Sequence, residues 1–274
     1  MTDLVVIMSV YRNDKLKYLK ESIQSIIDQT FTQFHYYIVF DGPVSPEIDD
    51  YITLLKDSRI KLFRLENNGG LANALNYLLN VVIRNLEYEF IARMDADDIS
   101  LPARFEKQRN YLLKNSDVSV LGCWYQEIDE SGKHLSDRKL PVEHEALKKL
   151  YYTRTPFAHP SVMYRRILIE TAGFYPTDTV LMEDNVLWGN ALKAGLRFAN
   201  IPESLLNFRK DKDFYKRRSG AKYGWNFIKT RFKINRSLNS PIYSYLLVFV
   251  MGAAKIIPPF LLRYIYTAGR RYYT

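Results

Sequence analysis

Residues Leu4–Val10 (LVVIMSV) form an apolar run between Asp3 and Arg12, with no alternation of apolar and polar positions. A strand buried on both faces reads this way, because helices cover both sides of its sheet. The run is too short to cross a bilayer and its flanking charges reverse the order of a signal peptide, so it belongs in a core. The next segments of the chain fix the kind of core. Leu19, Ile23, Ile26 and Ile27 recur at helical spacing, Tyr36–Phe40 is strand-like again, and Gly42-Pro43 turns the chain. A helix around Ile48–Leu55, a strand at Ile60–Leu65, a helix over Leu71–Ile83 and a strand at Glu89–Met94 continue the alternation. This succession predicts a doubly wound, mostly parallel α/β sheet. With 274 residues, 47% of them hydrophobic, the chain suffices for one large domain and an appendage.

The second half reads as mixed. A charged helix over Arg104–Leu113 leads to a strand at Val118–Tyr125 and a hairpin turn near Ser131-Gly132. Val162–Tyr164 is a short strand, Ile167–Ala172 a helix ended by Gly173, and Asp184–Ala194 a helix stopped by Gly195.

Ligands of open α/β sheets bind beyond the carboxyl ends of the strands. A polar residue comes after each of the first four: Tyr11, Asp41, Asn68 and Asp95. At the fourth, Asp95-Ala96-Asp97-Asp98 gathers carboxylates that repel one another unless a cation or hydrogen-bond donors compensate. A hard divalent ion, Mg2+ or Mn2+, meets that need with few protein carboxylates and phosphate oxygens completing its shell. Asp98 can instead serve as a cap opening the next helix. Cys123 is the sole cysteine, which excludes an intrachain disulfide and a cysteine-cluster zinc site and suits a reducing compartment.

The order and spacing of VIMSVY at 6–11, SIIDQTF at 25–31 and DADD at 95–98 resemble the family 2 glycosyltransferases of the nucleotide-diphospho-sugar, or GT-A, fold. The resemblance covers residues 3–210 and implies a catalytic domain at 1–210, with a nucleotide-binding half (1–115) and an acceptor-binding half (116–210), before a helical extension at 211–274. It places Ser9, Tyr11 and Asp41 at the uracil end of a UDP-sugar donor, and Asp95 at the ribose. Asp97, with Asp95 beside it, would meet the Mn2+ or Mg2+ bridging the diphosphate. A carboxylate at Asp41 suits the imide N–H of uracil. Asn68-Gly69-Gly70 resembles the family's glycine turn beneath the nucleotide, although Leu75 stands where a basic residue is common and Phe40-Asp41 replaces a pair of acidic residues.

Met182-Glu183-Asp184, ahead of Leu187-Trp188, resembles the family's acidic pair. Asp184 is then the base that deprotonates the acceptor hydroxyl and Glu183 the neighbour that orients the acceptor, roles that a one-residue shift would exchange. His159-Pro160-Ser161 matches an acceptor-side segment, and a lone histidine can equally be structural. Phe208-Arg209-Lys210 and Lys216-Arg217-Arg218 fall where the family has a mobile basic segment. Arg209 is the candidate phosphate contact, since guanidinium meets phosphate bidentately. The implied reaction is inverting transfer of a hexose, glucose or galactose, to a lipid-linked or oligosaccharide acceptor in O-antigen or exopolysaccharide assembly.

Net charge is divided. Residues 205–274 hold 15 Lys/Arg against 2 Asp/Glu, whereas residues 1–204 hold 24 against 28. Trp225, Phe227, Phe232, Tyr243, Tyr245, Tyr264, Tyr266, Tyr272 and Tyr273 are interspersed with these cations, as in interfacial helices. The apolar run Ile242–Ala254, with Lys255 and Pro258-Pro259 after it, is short for a transmembrane helix. A peripheral protein on the anionic inner face of the cytoplasmic membrane is expected, while a helical hairpin packed on the domain or an oligomer contact remains open. Of the rival classes, a nucleotidyltransferase would want a glycine-rich basic loop where Tyr11-Arg12-Asn13-Asp14 stands. A nucleic-acid-binding role conflicts with the acidic balance of residues 1–204.

Overall fold

The structure, a computed structural model, describes residues 2–179 and 181–256. β1 (Leu4–Val10), α1 (Leu16–Ile27), β2 (Phe34–Phe40), α2 (Pro46–Thr53), β3 (Ile60–Arg64), α3 (Leu71–Val82) and β4 (Phe90–Arg93) succeed one another along the chain. β1 lies between β2 and β4, with β3 outside β2, and all these pairs are parallel. Side chains on successive strand positions face opposite ways. Val6, Met8 and Val10 therefore pack with Leu19 and Ile23 of α1 and Ile48 of α2, while Val5 and Ile7 pack with Leu75, Leu78 and Leu79 of α3. Both faces are covered, which is why the first run carries no polar alternation.

Beyond β4 come β5 (Ile99–Ser100), α4 (Arg104–Lys114), β6 (Val118–Ile128), β7 (His134–Arg138), α5 (His144–Tyr151), β8 (Met163–Arg165), α6 (Ile167–Ala172), α7 (Glu183–Lys193) and β9 (Arg197–Arg209). The sheet order is β3-β2-β1-β4-β8-β6-β9-β5, with β7 paired to β6. β8 is antiparallel to both β4 and β6, and β9 is parallel to β6. The parallel expectation thus holds for the first four strands, and the remainder is mixed. Gly173 and Gly195 end their helices at φ +85° and +80°, where a glycine meets no Cβ penalty. β9 has no counterpart in the sequence reading. Pro202 interrupts it without an N–H to donate, and the ladder with β6 slips there, Cys123 facing Ile201 and Trp124 facing Ser204.

The helices after residue 210 are α8 (Phe214–Arg217), α9 (Ala221–Ser237) and α10 (Ile242–Ala254). α9 packs on α7, and Asn235 Nδ2 donates to Tyr152 O at 3.0 Å. α9 and α10 meet at Gly224 and Gly252, where a Cβ on Gly224 would stand 2.7 Å from Gly252 O. Among the described residues no helix is long and apolar enough to cross a membrane. Tyr264, Tyr266, Tyr272 and Tyr273 lie outside the described residues.

Candidate active site

Parallel β1–β4 bring their carboxyl ends to one edge of the sheet, and β8 enters from that edge beside β4, so Arg93 N donates to Val162 O at 3.0 Å. β6 and β9 run in the same direction as β4, which delivers residues 129–130 and 209–217 to the same edge. The candidate residues of both halves therefore converge there.

Ser9 is partly buried at the end of β1 and Tyr11 just beyond it is 41% exposed. Tyr11 N donates to Asp14 Oδ2 at 2.9 Å, and burial pushes the Asp14 carboxyl up to about 8. Asp41 has a duty that the sequence did not suggest. It is 3% exposed, and its Oδ1 accepts Gly69 N–H at 2.7 Å. Its Oδ2 accepts Gly70 N–H and the Asn68 amide, both at 2.9 Å. Gly42, at φ +79°, passes so close beneath this loop that a Cβ would stand 2.5 Å from Asn68 N. Asp41, Gly42 and Asn68–Gly70 form one braced turn, and a uracil N–H would have to share the Asp41 carboxylate with three internal donors.

Asp95, Asp97 and Asp98 each place a carboxylate oxygen within 4.8 Å of the others. Asp98 does not cap α4, whose N-cap position is Ala103 without a side-chain cap. It is fully buried instead, its Oδ1 accepting Arg209 N–H at 2.7 Å and its Oδ2 lacking a partner among the described residues. Burial, and next the charge of Asp95, push the Asp97 carboxyl up to about 7. Burial and the charges of Asp97 and Asp95 raise Asp98 well above the carboxylate range. The buried Arg93 guanidinium pairs with Asp95. A buried carboxylate oxygen without a donor, inside an overcharged cluster, fits a hard divalent cation. Asp97 would hold it with Asp95 or Asp98.

Arg209 corrects an expectation. It is 3% exposed, and its guanidinium donates to the carbonyls of Asp97 (2.8 Å) and Asp129 (3.2 Å) and pairs with Glu21. It splints the carboxylate loop to β9 and is not free to meet a donor phosphate. The cation that opens on the site is Arg217, paired with Asp211 at 2.6 Å and close enough to Asp97 and Tyr11 to feel their charges. With Lys212 and Lys216 it lines a cleft shared with Tyr11, Asn13 and Lys15.

Glu183 and Asp184 begin α7, directly after Leu181 at φ +55° and Met182. Burial raises both carboxyls; the Asn185 backbone N–H first, then Arg231, the Asn185 amide and Arg93, pull Asp184 back down. Asn185 Nδ2 donates to Asp184 Oδ1 at 2.9 Å. Arg93 acts on Asp97 as well as on Glu183 and Asp184, so it stands electrostatically between the two acidic groups. The partly buried ring of His159 bonds Tyr175 OH at 2.8 Å and packs on Trp188, and its desolvation holds it neutral. These contacts give His159 a structural place among the aromatic side chains of Tyr175 and Trp188. Arg93 and Asp211 escaped the sequence assignment, and Asp98 and Arg217 entered it only as members of the carboxylate motif and the basic segment. For Arg93 the available signal was a charge inside an apolar strand, which needs a buried partner.

The doubly wound first half of the sheet, continued by a mixed second half, is the GT-A glycosyltransferase fold. The sequence matches Glycosyl transferase family 2 over residues 5–172, and the chain belongs to that family. It is 34% identical to the UDP-Gal:alpha-D-GlcNAc-diphosphoundecaprenol beta-1,3-galactosyltransferase of Escherichia coli, covering 85% of this chain and 83% of that one. It is 30% identical to the amylovoran biosynthesis glycosyltransferase AmsE of Erwinia amylovora, covering 97% and 98%. Among solved structures, S. aureus TarS in complex with UDP-GlcNAc superposes with a TM-score of 0.63 at 18% identity, over 86% of this chain and 70% of that one. The mannosyltransferase PcManGT of Pyrobaculum calidifontis, in complex with GDP-Man and Mn2+, gives 0.63 at 16% identity over 97% and 79%.

Proposed function

We propose that this glycosyltransferase moves a hexosyl group, glucose or galactose, from a UDP-sugar to a hydroxyl of a lipid-diphosphate-linked sugar, with inversion, during O-antigen or exopolysaccharide assembly. The observation that carries the reading is the shared sheet edge, on which Asp95, Asp97 and Asp98 and the Glu183–Asp184 pair all act on one buried arginine, Arg93. Mn2+ or Mg2+ held by Asp97, with Asp95 or Asp98, would supply charge stabilisation for the departing diphosphate. Asp184 removes the acceptor proton as the hydroxyl oxygen bonds to the anomeric carbon and the bond from that carbon to the diphosphate breaks. Burial raises its carboxyl, the direction that strengthens it as a base. Glu183 orients the acceptor, and Ser9, Tyr11 and the Asp41–Asn68–Gly70 turn bracket the uridine. Arg217 takes the phosphate role first expected of Arg209.

The undecaprenyl-diphosphate-linked substrate in the name of the Escherichia coli relative supports a lipid-borne acceptor. The hairpin after residue 220 supports a place at a membrane. Ile242, Leu246, Phe249 and Val250 fall on one face of α10, with Ile242 87% and Leu246 66% exposed. Lys222, Trp225, Lys229, Lys233 and Arg236 form an exposed stripe along α9. An apolar ridge beside a cationic stripe suits the anionic cytoplasmic face of a bilayer. Residues 1–210 are then the catalytic domain and 211–274 the membrane-facing extension. Incubating UDP-sugars with a synthetic sugar-diphosphate-lipid, in Mn2+ or in EDTA, tests donor, metal and acceptor together. Turnover of a UDP-hexose lost in EDTA is expected. Calorimetry with GDP binding as tightly as UDP would refute the uridine assignment.

A further inference from the structure

α9 comes from the extension, yet one of its arginines is not at the surface. Arg231 is 2% exposed, and its partners are a carbonyl, an amide oxygen and the rings of Tyr151 and Phe227. Its Nη1 donates to Tyr151 O at 2.8 Å and its Nη2 to Asn185 Oδ1 at 2.5 Å, with the guanidinium over the Tyr151 ring at 5.0 Å. Guanidinium only donates, so it fixes which way the Asn185 amide points: oxygen toward Arg231, nitrogen away. That nitrogen donates to Asp184 Oδ1. The Tyr151 hydroxyl, on α5, donates to the main-chain carbonyl of Asn185. Asp184 Oδ1 is thereby held by an amide whose orientation Arg231 fixes.

We propose that Arg231 is a positioning residue for the reaction: through the Asn185 amide it sets the Asp184 carboxylate, so that a helix outside the family-matched segment 5–172 completes the active site. This rests on the reading of Asp184 as the base. A buried cation without a direct counter-ion is costly unless a nearby anion offsets it, and here Asp184 is one amide away. The relay also bears on when Asp184 is ionised. The charged and titratable groups around it are Glu183 on its own helix, Arg93 on β4, Arg231 on α9, Tyr151 on α5 and Tyr175 in the loop after α6. Among the described residues Arg231 and Arg93 favour the ionised form by charge, and Arg93 is already paired with Asp95.

The full-length protein is assayed with the UDP-hexose and sugar-diphosphate-lipid that it turns over, across pH 5.5–9, alongside Mn2+-supported UDP binding by calorimetry. Arg231→Met is expected to lower kcat about tenfold to a hundredfold, to move the acid limb of the kcat profile up by about one pH unit, and to leave UDP affinity within about twofold. Arg231→Lys should return the acid limb toward its original position but restore only part of kcat, since an ammonium cannot span Tyr151 O and Asn185 Oδ1 together. If Arg231→Met does not fold, Asn185→Leu breaks the relay from the other end and should show the same displaced limb. A wild-type pH profile in whichever of these variants binds UDP normally overturns the proposal and leaves Arg231 a packing residue. Asp184→Asn separates the two readings. If it is inactive while the Arg231 and Asn185 variants behave as wild type, only this inference fails; if it retains activity, the base assignment fails and takes the inference with it.

Discussion

Asp97→Asn should make the metal-free protein more stable while abolishing turnover. A carboxyl that titrates at about 7 in the fold and at 3.8 when free binds a proton more readily in the folded state. Its ionisation therefore destabilises the fold as pH rises, from nothing below about pH 4 to a full effect above about pH 7. At about 1.36 kcal/mol per pH decade, the full effect is about 4 kcal/mol. Asp97 keeps part of its surface open to water, which screens it, so about half of that, about 2 kcal/mol, is the working figure. Asparagine removes the charge with little change of shape. For a chain of this size, about 2 kcal/mol raises Tm by about 4–8 °C at pH 8, with little change at pH 4. Differential scanning calorimetry in EDTA, at both pH values, measures this directly. Adding Mn2+ should raise the wild-type Tm at pH 8 and leave that of Asp97→Asn nearly unmoved. A variant less stable than wild type at pH 8, or one that still turns over the donor, would refute the account of these carboxylates as a cluster built for a cation.

Gly42→Ala must place a Cβ against Asn68 N at a positive φ; urea unfolding should show a loss of about 2–4 kcal/mol, with UDP affinity falling as the braced turn opens. Glu127 pairs with Arg138 at 2.8 Å and Lys210 at 2.6 Å and titrates at about 2 rather than 4.5. Its contribution is complete above about pH 4.5 and lost as pH falls through about 2, so Glu127→Gln should cost about 3 kcal/mol at pH 7 and progressively less toward pH 3 in urea titrations. Leu246→Glu with Phe249→Glu should abolish flotation on phosphatidylglycerol vesicles at low salt while leaving Tm within about 2 °C, because both side chains already face solvent. Retained flotation would remove the ridge from the membrane.

The half of the fold built from parallel strands was legible because burial on both faces erases alternation and leaves plain apolar runs, as in Leu4–Val10. Glycine stops at 173 and 195 were legible for a conformational reason, a left-handed residue after the last turn. β9 was not, because Pro202 and Glu203 bulge out of the middle of a strand that runs from Arg197 to Arg209. In the site, the positions of Asp95 and Asp97 could be read from a strand end plus a charge cluster. Arg209 misled because its chemistry suits phosphate equally well as it suits the carbonyls of Asp97 and Asp129; only burial distinguishes the two uses. Arg231 lay within a cationic, aromatic stretch that reads as surface, and nothing local marks it as the one cation of α9 turned inward.

The backbone contact between α9 and α10 at Gly224 and Gly252 makes this hairpin a stiff lever with its short arm inside the enzyme. A methyl group at Gly224 would wedge against Gly252 O and rotate α9 about its own axis, and two turns along that axis is Arg231. A substitution at a glycine far from any sugar would then be felt as a tilt of the carboxylate at Asp184. For folding, the hairpin's tolerance to sequence change is accordingly lopsided: wide along its outer ridge, and narrow where its two backbones touch at Gly224 and Gly252.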